Sequence, residues 1–284
     1  MPCLLVSELH RASIRLPSYS AAVARSNLSK RSIATVQMAS GKLLENKVCV
    51  ITGGGRGIGA AIAERFAAEG ATLILTARSK DQLQQVAQSC TAKGAARCDV
   101  LPVDLSQLGE VEQFARDVLD KHKQVDVLVN NAGMGAPGKN SPLSDPGDFA
   151  HWQKLLMTNT LAPMVLTNLF AVGMSKRRSG LIINIASVAS LSAMPETAVY
   201  ATSKWGLRGW SLSCYEVLRH HDVKVVLINP GPVATPMTEG RMDPSKASPP
   251  EDVAQIAMMA LTLSPQSVPV EMTLNTTAPA DPSQ

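Results

Sequence analysis

From residue 47 onward, short apolar runs rich in β-branched residues alternate with longer stretches whose apolar positions recur every three or four residues. Runs at 47–52, 72–77, 98–103, 125–130, 180–186, 223–229 and 268–274 have the length and composition of strands. Stretches at 58–69, 81–93, 108–122, 149–174 and 200–220 carry helical periodicity. Val48-Cys49-Val50-Ile51 and Leu181-Ile182-Ile183 lack polar alternation, as strands covered on both faces do. This order predicts βαβ units in an α/β, doubly wound, mostly parallel seven-stranded sheet with helices on both faces. In such a sheet a ligand binds beyond the carboxyl ends of the strands, so functional residues are expected there.

Composition narrows the function classes. No run reaches the ~18 apolar residues of a membrane span; the nearest, 161–174, is interrupted by Thr167 and Asn168. The net charge of +4 belongs to residues 1–40, which hold five basic residues and one acid. The remaining chain has 22 of each and offers no basic footprint for nucleic acid. The leader also carries eight serines, which reads as a transit peptide. Val36-Gln37-Met38-Ala39 favours a chloroplast (plastid) address; mitochondrion and cytoplasm are the alternatives. Residues 41–275 then form a single domain, and 276–284 a C-terminal tail. Five scattered cysteines suggest reduced thiols in a reducing compartment. The five histidines form no HExxH or similar cluster, so no metal site is predicted.

After the first strand comes Thr52-Gly53-Gly54-Gly55-Arg56-Gly57-Ile58-Gly59, opening a helix of small residues. Glycines there allow a tight turn and close approach of a pyrophosphate to the helix N-terminus. Folds that prefer NAD place an acid after the second strand to hold the ribose 2′-OH. Here that segment reads Ala77-Arg78-Ser79, with no acid before Asp81. Arg78 occupies the place of a 2′-phosphate ligand and Arg56 is placed to reach the same group, so NADP(H) is the expected cofactor.

Ser187 follows the fifth strand, Tyr200 comes 13 residues later, and Lys204 four after that. Four residues apart on a helix, the phenol and ammonium are neighbours. An adjacent cation favours the phenolate, bringing Tyr200 toward a useful acid–base range, and the Ser187 hydroxyl can hold a carbonyl as negative charge develops on it. Tyr215 with Arg219 repeats the spacing but lies roughly 22 Å further along the helix. Ser190 and Ser192 compete with Ser187, which alone stands directly at the strand end.

Across roughly residues 45–275 the chain resembles the short-chain dehydrogenase/reductase family and its Rossmann-type fold. The resemblance implies that Asn131, Ala132 and Gly133 support the sheet and line the cofactor, and that Asp104, with Leu105, contacts the adenine. It implies that Asn159 completes a catalytic set with Ser187, Tyr200 and Lys204 by holding a water-linked proton relay. Lys204 is also expected to bind the nicotinamide ribose, with the loop Pro230-Gly231-Pro232-Val233-Ala234-Thr235 beside the nicotinamide. The expected activity is NADPH-dependent reduction of a ketone, aldehyde or 3-oxoacyl substrate, with Tyr200 as proton donor. The alternatives are NAD-dependent alcohol oxidation and a non-catalytic NADP(H)-binding sensor or scaffold. Loops 134–149 and 235–250 should set specificity, with Met134, Leu191, Met194, Met237 and Met242 as apolar wall candidates. Family resemblance also implies a homodimer or homotetramer, although the ending Thr276-Thr277-Ala278 departs from the usual Asp-Gly-Gly.

Overall fold

The strands β1 (Val48–Thr52), β2 (Thr72–Thr76), β3 (Arg97–Val100), β4 (Val127–Asn130), β5 (Gly180–Ile185), β6 (Val223–Pro230) and β7 (Glu271–Leu274) pair in the order β3-β2-β1-β4-β5-β6-β7. Every pairing is parallel. The order reverses between β1 and β4, which opens a crevice at the carboxyl edge beside them. Our computed structural model describes residues 41–135, 143, 147–240 and 243–277. The proposed transit peptide, most of loop 134–149, Met242 and the end of the tail lie outside the described residues.

Alternation along each strand feeds two cores. Cys49 and Ile51 of β1 join Ile62, Phe66 and Met258 on one face, while Val50 joins Phe114, Leu166 and Phe170 on the other. The first face is covered by α1 (Gly57–Ala68), α2 (Lys80–Ala92) and α7 (Pro250–Thr262). The second is covered by α3 (Leu108–His122), α5 (Ala162–Arg177) and α6 (Ala198–Leu218). α7 is an addition to the helices expected from periodicity. All this lies in one compact unit beginning at Gly41.

Three expected strands are shorter by more than one residue, β4 beginning at Val127 rather than at 125, and β3 and β7 each ending or starting at a proline. β3 stops at Val100 ahead of Pro102, and β7 starts at Glu271 after Pro269, because proline offers no N–H to a ladder. The helix expected over 149–174 is α4 (Phe149–Leu156) and α5 joined by a π turn, Met157–Leu161. The Ala162 N–H bonds back to Met157 O, one residue further than in an α-helix, just before Pro163 removes the next donor. The continuous run Phe149–Arg177 is the one helix among the described residues long and apolar enough by composition to cross a membrane. Half of its most apolar window is buried, with Leu166, Phe170 and Met174 in the second core.

A polar rung ties the sheet to both long helices. Asn130 and Asn184, buried and paired in register on β4 and β5, share a hydrogen bond from Asn130 Nδ2 to Asn184 Oδ1 at 2.8 Å. Asn130 Nδ2 also donates to Thr167 Oγ1 on α5, and Asn184 Nδ2 donates to Ser211 Oγ on α6 at 2.8 Å. Asn184→Ala leaves Asn130 and Ser211 without these partners in a dry interior. It should cost about 2–4 kcal/mol in urea unfolding; a loss below about 0.5 kcal/mol would show that the rung does not hold the layers together.

Candidate active site

A cleft of about 880 Å³ lies along the carboxyl edge, within the size range of cofactor sites. Its floor at one end is the β1–α1 turn, where Gly53 adopts a φ of +66° that side chains disfavour. α1 approaches this turn so closely that a Cβ on Gly59 would stand 2.2 Å from the Gly53 carbonyl oxygen. The helix begins with no side-chain cap from Arg56 and no acid in its first turn. Its first N–H groups are therefore free to serve a ligand anion. Gly57 and Ile58 of that turn line the cleft.

Thr52 and Asn131 rivet this turn to β4. Thr52 Oγ1 donates to Val129 O and accepts from the backbone N–H groups of Asn131 and Ala132. Asn131 Nδ2 donates to Thr52 O and Gly53 O at 2.9 and 3.2 Å. Thr52 and Gly59, expected among the cofactor contacts, shape this turn and are not among the residues that line the cleft. Gly53, Asn131, Ala132 and Gly133 do line it.

Past β2, the lining continues through Ala77, Arg78, Ser79 and Gln82 without a carboxylate. Arg56 and Arg78 are exposed, and neither has an ion-pair partner among the described residues. Asp104 and Leu105 form the adjoining wall with Val103. The Asp104 carboxylate accepts from the Ser106 N–H at 3.0 Å, so it shapes its own turn as well as facing the cleft.

The other end is built by β5, α6 and the loop after β6. Ser187 leaves β5 with its Oγ accepting from the Ala189 N–H at 3.2 Å. Tyr200 and Lys204 rise from α6 into the same wall, opposite Pro230, Gly231, Val233 and Thr235. Lys204 is buried: its Nζ donates to Ile185 O at 3.0 Å and lies 5.7 Å from the Tyr200 ring centroid. Burial lowers its ammonium to about 8. Burial also raises the Tyr200 phenol above its ordinary value, with the Ser187 hydroxyl pulling the other way. This differs from the expected lowering of Tyr200 by Lys204, because burial of the phenol is the larger influence.

Asn159 also stands behind the wall, wholly buried in the π turn. Its Oδ1 accepts from the Met134 N–H at 2.7 Å, and its Nδ2 donates to Met134 O and Ser203 Oγ, both at 3.0 Å. It therefore anchors the start of loop 134–149 to α6. Met134, Met194 and Met237 line the cleft, whereas Leu191 does not. Thr158 and Thr238 are further wall residues that composition did not single out. Tyr215 packs on the second core under Arg219, away from the cleft.

The fit to a dinucleotide phosphate rests on this donor set: an uncapped helix start, a turn too close for side chains, and two unpaired guanidiniums. The buried ammonium gives a first test. The unfolded chain holds the Lys204 proton up to about 10.4, whereas the fold releases it near 8. Between those values the unfolded state binds more protons, so this group's contribution to stability rises with pH and is lost as pH falls toward 8. Lys204→Met should therefore be the more stable protein at pH 7, by on the order of 3 kcal/mol. The gap in urea unfolding should shrink to below about 1 kcal/mol by pH 10; a pH-independent gap would place the ammonium in water.

The short chain dehydrogenase family model matches residues 47–245. Sepiapterin reductase of Chlorobaculum tepidum is 31% identical over 241 residues, covering 81% of this chain and 96% of that protein. The 3-oxoacyl-(acyl-carrier-protein) reductase of Thermotoga maritima is 30% identical over 227 residues, covering 76% and 90%. Among solved structures, a metagenomic short-chain oxidoreductase in complex with NADP superposes with a TM-score of 0.73 at 36% identity, covering 84% of this chain and all of that one. An alcohol dehydrogenase from Thermococcus sibiricus complexed with 5-hydroxy-NADP gives 0.73 at 27% identity, covering 83% and 98%. With the cleft, the sheet order and these matches in agreement, the chain belongs to the short-chain dehydrogenase family of nicotinamide-dependent oxidoreductases.

Proposed function

We propose that this protein reduces a carbonyl of ketone, aldehyde or 3-oxoacyl type to the alcohol at the expense of NADPH, with Tyr200 as proton donor. The observation that carries the reading is that two unpaired arginines, Arg56 and Arg78, open onto the same cleft as Ser187, Tyr200 and Lys204. The absence of a carboxylate among the lining residues directly after β2 (Ala77, Arg78, Ser79 and Gln82) supports the 2′-phosphate over the 2′-hydroxyl. The NADP and 5-hydroxy-NADP complexes of two structural neighbours point the same way.

In this reading the first N–H groups of α1 receive the pyrophosphate and the two guanidiniums receive the 2′-phosphate. Asp104 and Leu105 border the adenine, and Lys204 holds the nicotinamide ribose beside the loop Pro230–Thr235. When bound, the nicotinamide supplies the hydride. Ser187 donates a hydrogen bond to the carbonyl oxygen as charge builds on it. Tyr200, kept protonated by its burial, delivers the phenolic proton to that same oxygen. Asn159 anchors the Met134 backbone beside this proton path. Met134, Met194 and Met237 make the substrate end apolar, which suits an uncharged carbonyl. The basic, serine-rich leader supports import into an organelle, the plastid first. A homodimer or homotetramer is the assembly we propose, on family grounds.

A panel of para-nitrobenzaldehyde, diacetyl and acetoacetyl-coenzyme A, followed by loss of NADPH absorbance, tests the activity. Tyr200→Phe should bind NADPH as wild type does yet lose turnover at least about a hundredfold. Near-normal turnover by that variant would remove Tyr200 from the mechanism.

A further inference from the structure

α6 presents Tyr200, Lys204 and Arg208 at successive four-residue steps, so the three side chains share one helix face. Arg208 is not part of the cleft wall. Its Nε and Nη2 donate to Oε1 and Oε2 of Glu271, on β7, at 2.7 and 3.0 Å. Glu271 Oε1 accepts a further bond, from Asn229 Nδ2 at 2.7 Å. Asn229 is fully buried at the end of β6, and its Oδ1 faces the Ser190 hydroxyl, 2.9 Å away. Ser190 is equally buried, and its hydroxyl lies 2.7 Å from the carbonyl oxygen of Ser187. A continuous polar chain therefore leaves the helix that carries Tyr200, crosses β7 and β6, and returns to the peptide of Ser187.

Chemistry sets the direction of each link. Arg208 and then Asn229 hold the Glu271 carboxyl below its usual range, so it is ionised at neutral pH. A carboxylate only accepts, which forces the Asn229 NH2 toward Glu271 and its oxygen toward Ser190. Ser190 then faces two acceptors with one proton, shared between Asn229 Oδ1 and the Ser187 carbonyl. Without an acceptor oxygen at residue 271 nothing dictates which end of the Asn229 amide meets Ser190, and the Ser187 carbonyl, which also accepts the Ser190 N–H at 2.9 Å, loses its oriented hydroxyl donor.

We infer that Arg208 and Glu271 are positioning residues which, through Asn229 and Ser190, hold Ser187 in register with Tyr200 and Lys204. The inference rests on the reading of Ser187 as the hydroxyl that holds the carbonyl. Neither Arg208 nor Glu271 lines the cleft, and the polar chain through Asn229 and Ser190 gives them a route to Ser187. The alternative is a simple tie between α6 and β7, which would matter to stability alone.

A double-mutant cycle separates the two. Kinetics are read with NADPH and whichever panel carbonyl is turned over fastest, in wild-type and Ser187→Ala backgrounds, alongside urea unfolding. Glu271→Leu should lower kcat about tenfold while KM for NADPH stays within about twofold. Glu271→Gln keeps one oxygen for Arg208 Nε and Asn229 Nδ2, and should turn over near the wild-type rate. In the Ser187→Ala background Glu271→Leu should cost no further kcat, because both changes remove the same placed hydroxyl. Ser190→Ala leaves the ion pair intact and should reproduce the kcat loss, which keeps the test open if Glu271→Leu does not fold. Losses that multiply in full across the two backgrounds, or lower stability with kcat unchanged, would overturn the relay. If Ser187→Ala is crippled while Ser190→Ala and Glu271→Leu are normal, the relay alone fails. If Ser187→Ala keeps wild-type turnover, or the wild type reduces none of the panel, the functional reading fails and takes the relay with it.

Discussion

The approach of α1 to the turn that precedes it constrains everything else in this molecule. At Gly59 a single methyl group would sit 2.2 Å from the Gly53 carbonyl oxygen, so only a glycine permits the helix to start where it does. That start leaves N–H groups without a side-chain acceptor at the bottom of the cleft. The same turn is bound by Asn131, whose amide spans Thr52 O and Gly53 O. β1, α1 and the end of β4 are thereby locked into one rigid edge. An anion site of this kind depends on groups that do not move, since reorganisation on binding would consume the electrostatic gain.

At the far end of the cleft the governing term is desolvation. Lys204 is held by the Ile185 carbonyl in a buried position that lowers its ammonium to about 8, while Tyr200 is kept in its neutral form. A protonated phenol beside a hydroxyl suits the delivery of a proton to a carbonyl, whereas a preformed phenolate would suit its removal. The charges that an NADPH phosphate would neutralise stand at the opposite end, on the exposed Arg56 and Arg78. The exposed guanidiniums and the buried ammonium thus stand at opposite ends of one cleft.

Much of this was readable from residue order because the features are local. Strand cores such as Val48–Thr52 and the helix Leu108–His122 follow from periodicity, and Ser187, Tyr200 and Lys204 follow from a strand end and a four-residue step. Boundaries moved where proline withdraws a donor, at Pro102 and Pro269. The π turn at Met157–Leu161 has no compositional mark, so the burial of Asn159 behind the wall came only from the structure. Thr52 and Gly59 belong to the glycine motif yet serve its shape, a distinction that spacing cannot make. The chain from Arg208 to Ser190 joins residues 63, 42 and 39 positions apart, and only the sheet order brings them together.

The role proposed for Arg56 and Arg78 is to make this cleft a site for a 2′-phosphorylated dinucleotide. Titrating NADPH and NADH side by side against the protein, by the change in nicotinamide fluorescence, tests it most directly. NADPH should bind tighter by roughly ten- to a hundredfold through two charge-assisted contacts at exposed guanidiniums, with the advantage shrinking as salt is added. Equal affinities, or a preference for NADH, would contradict it.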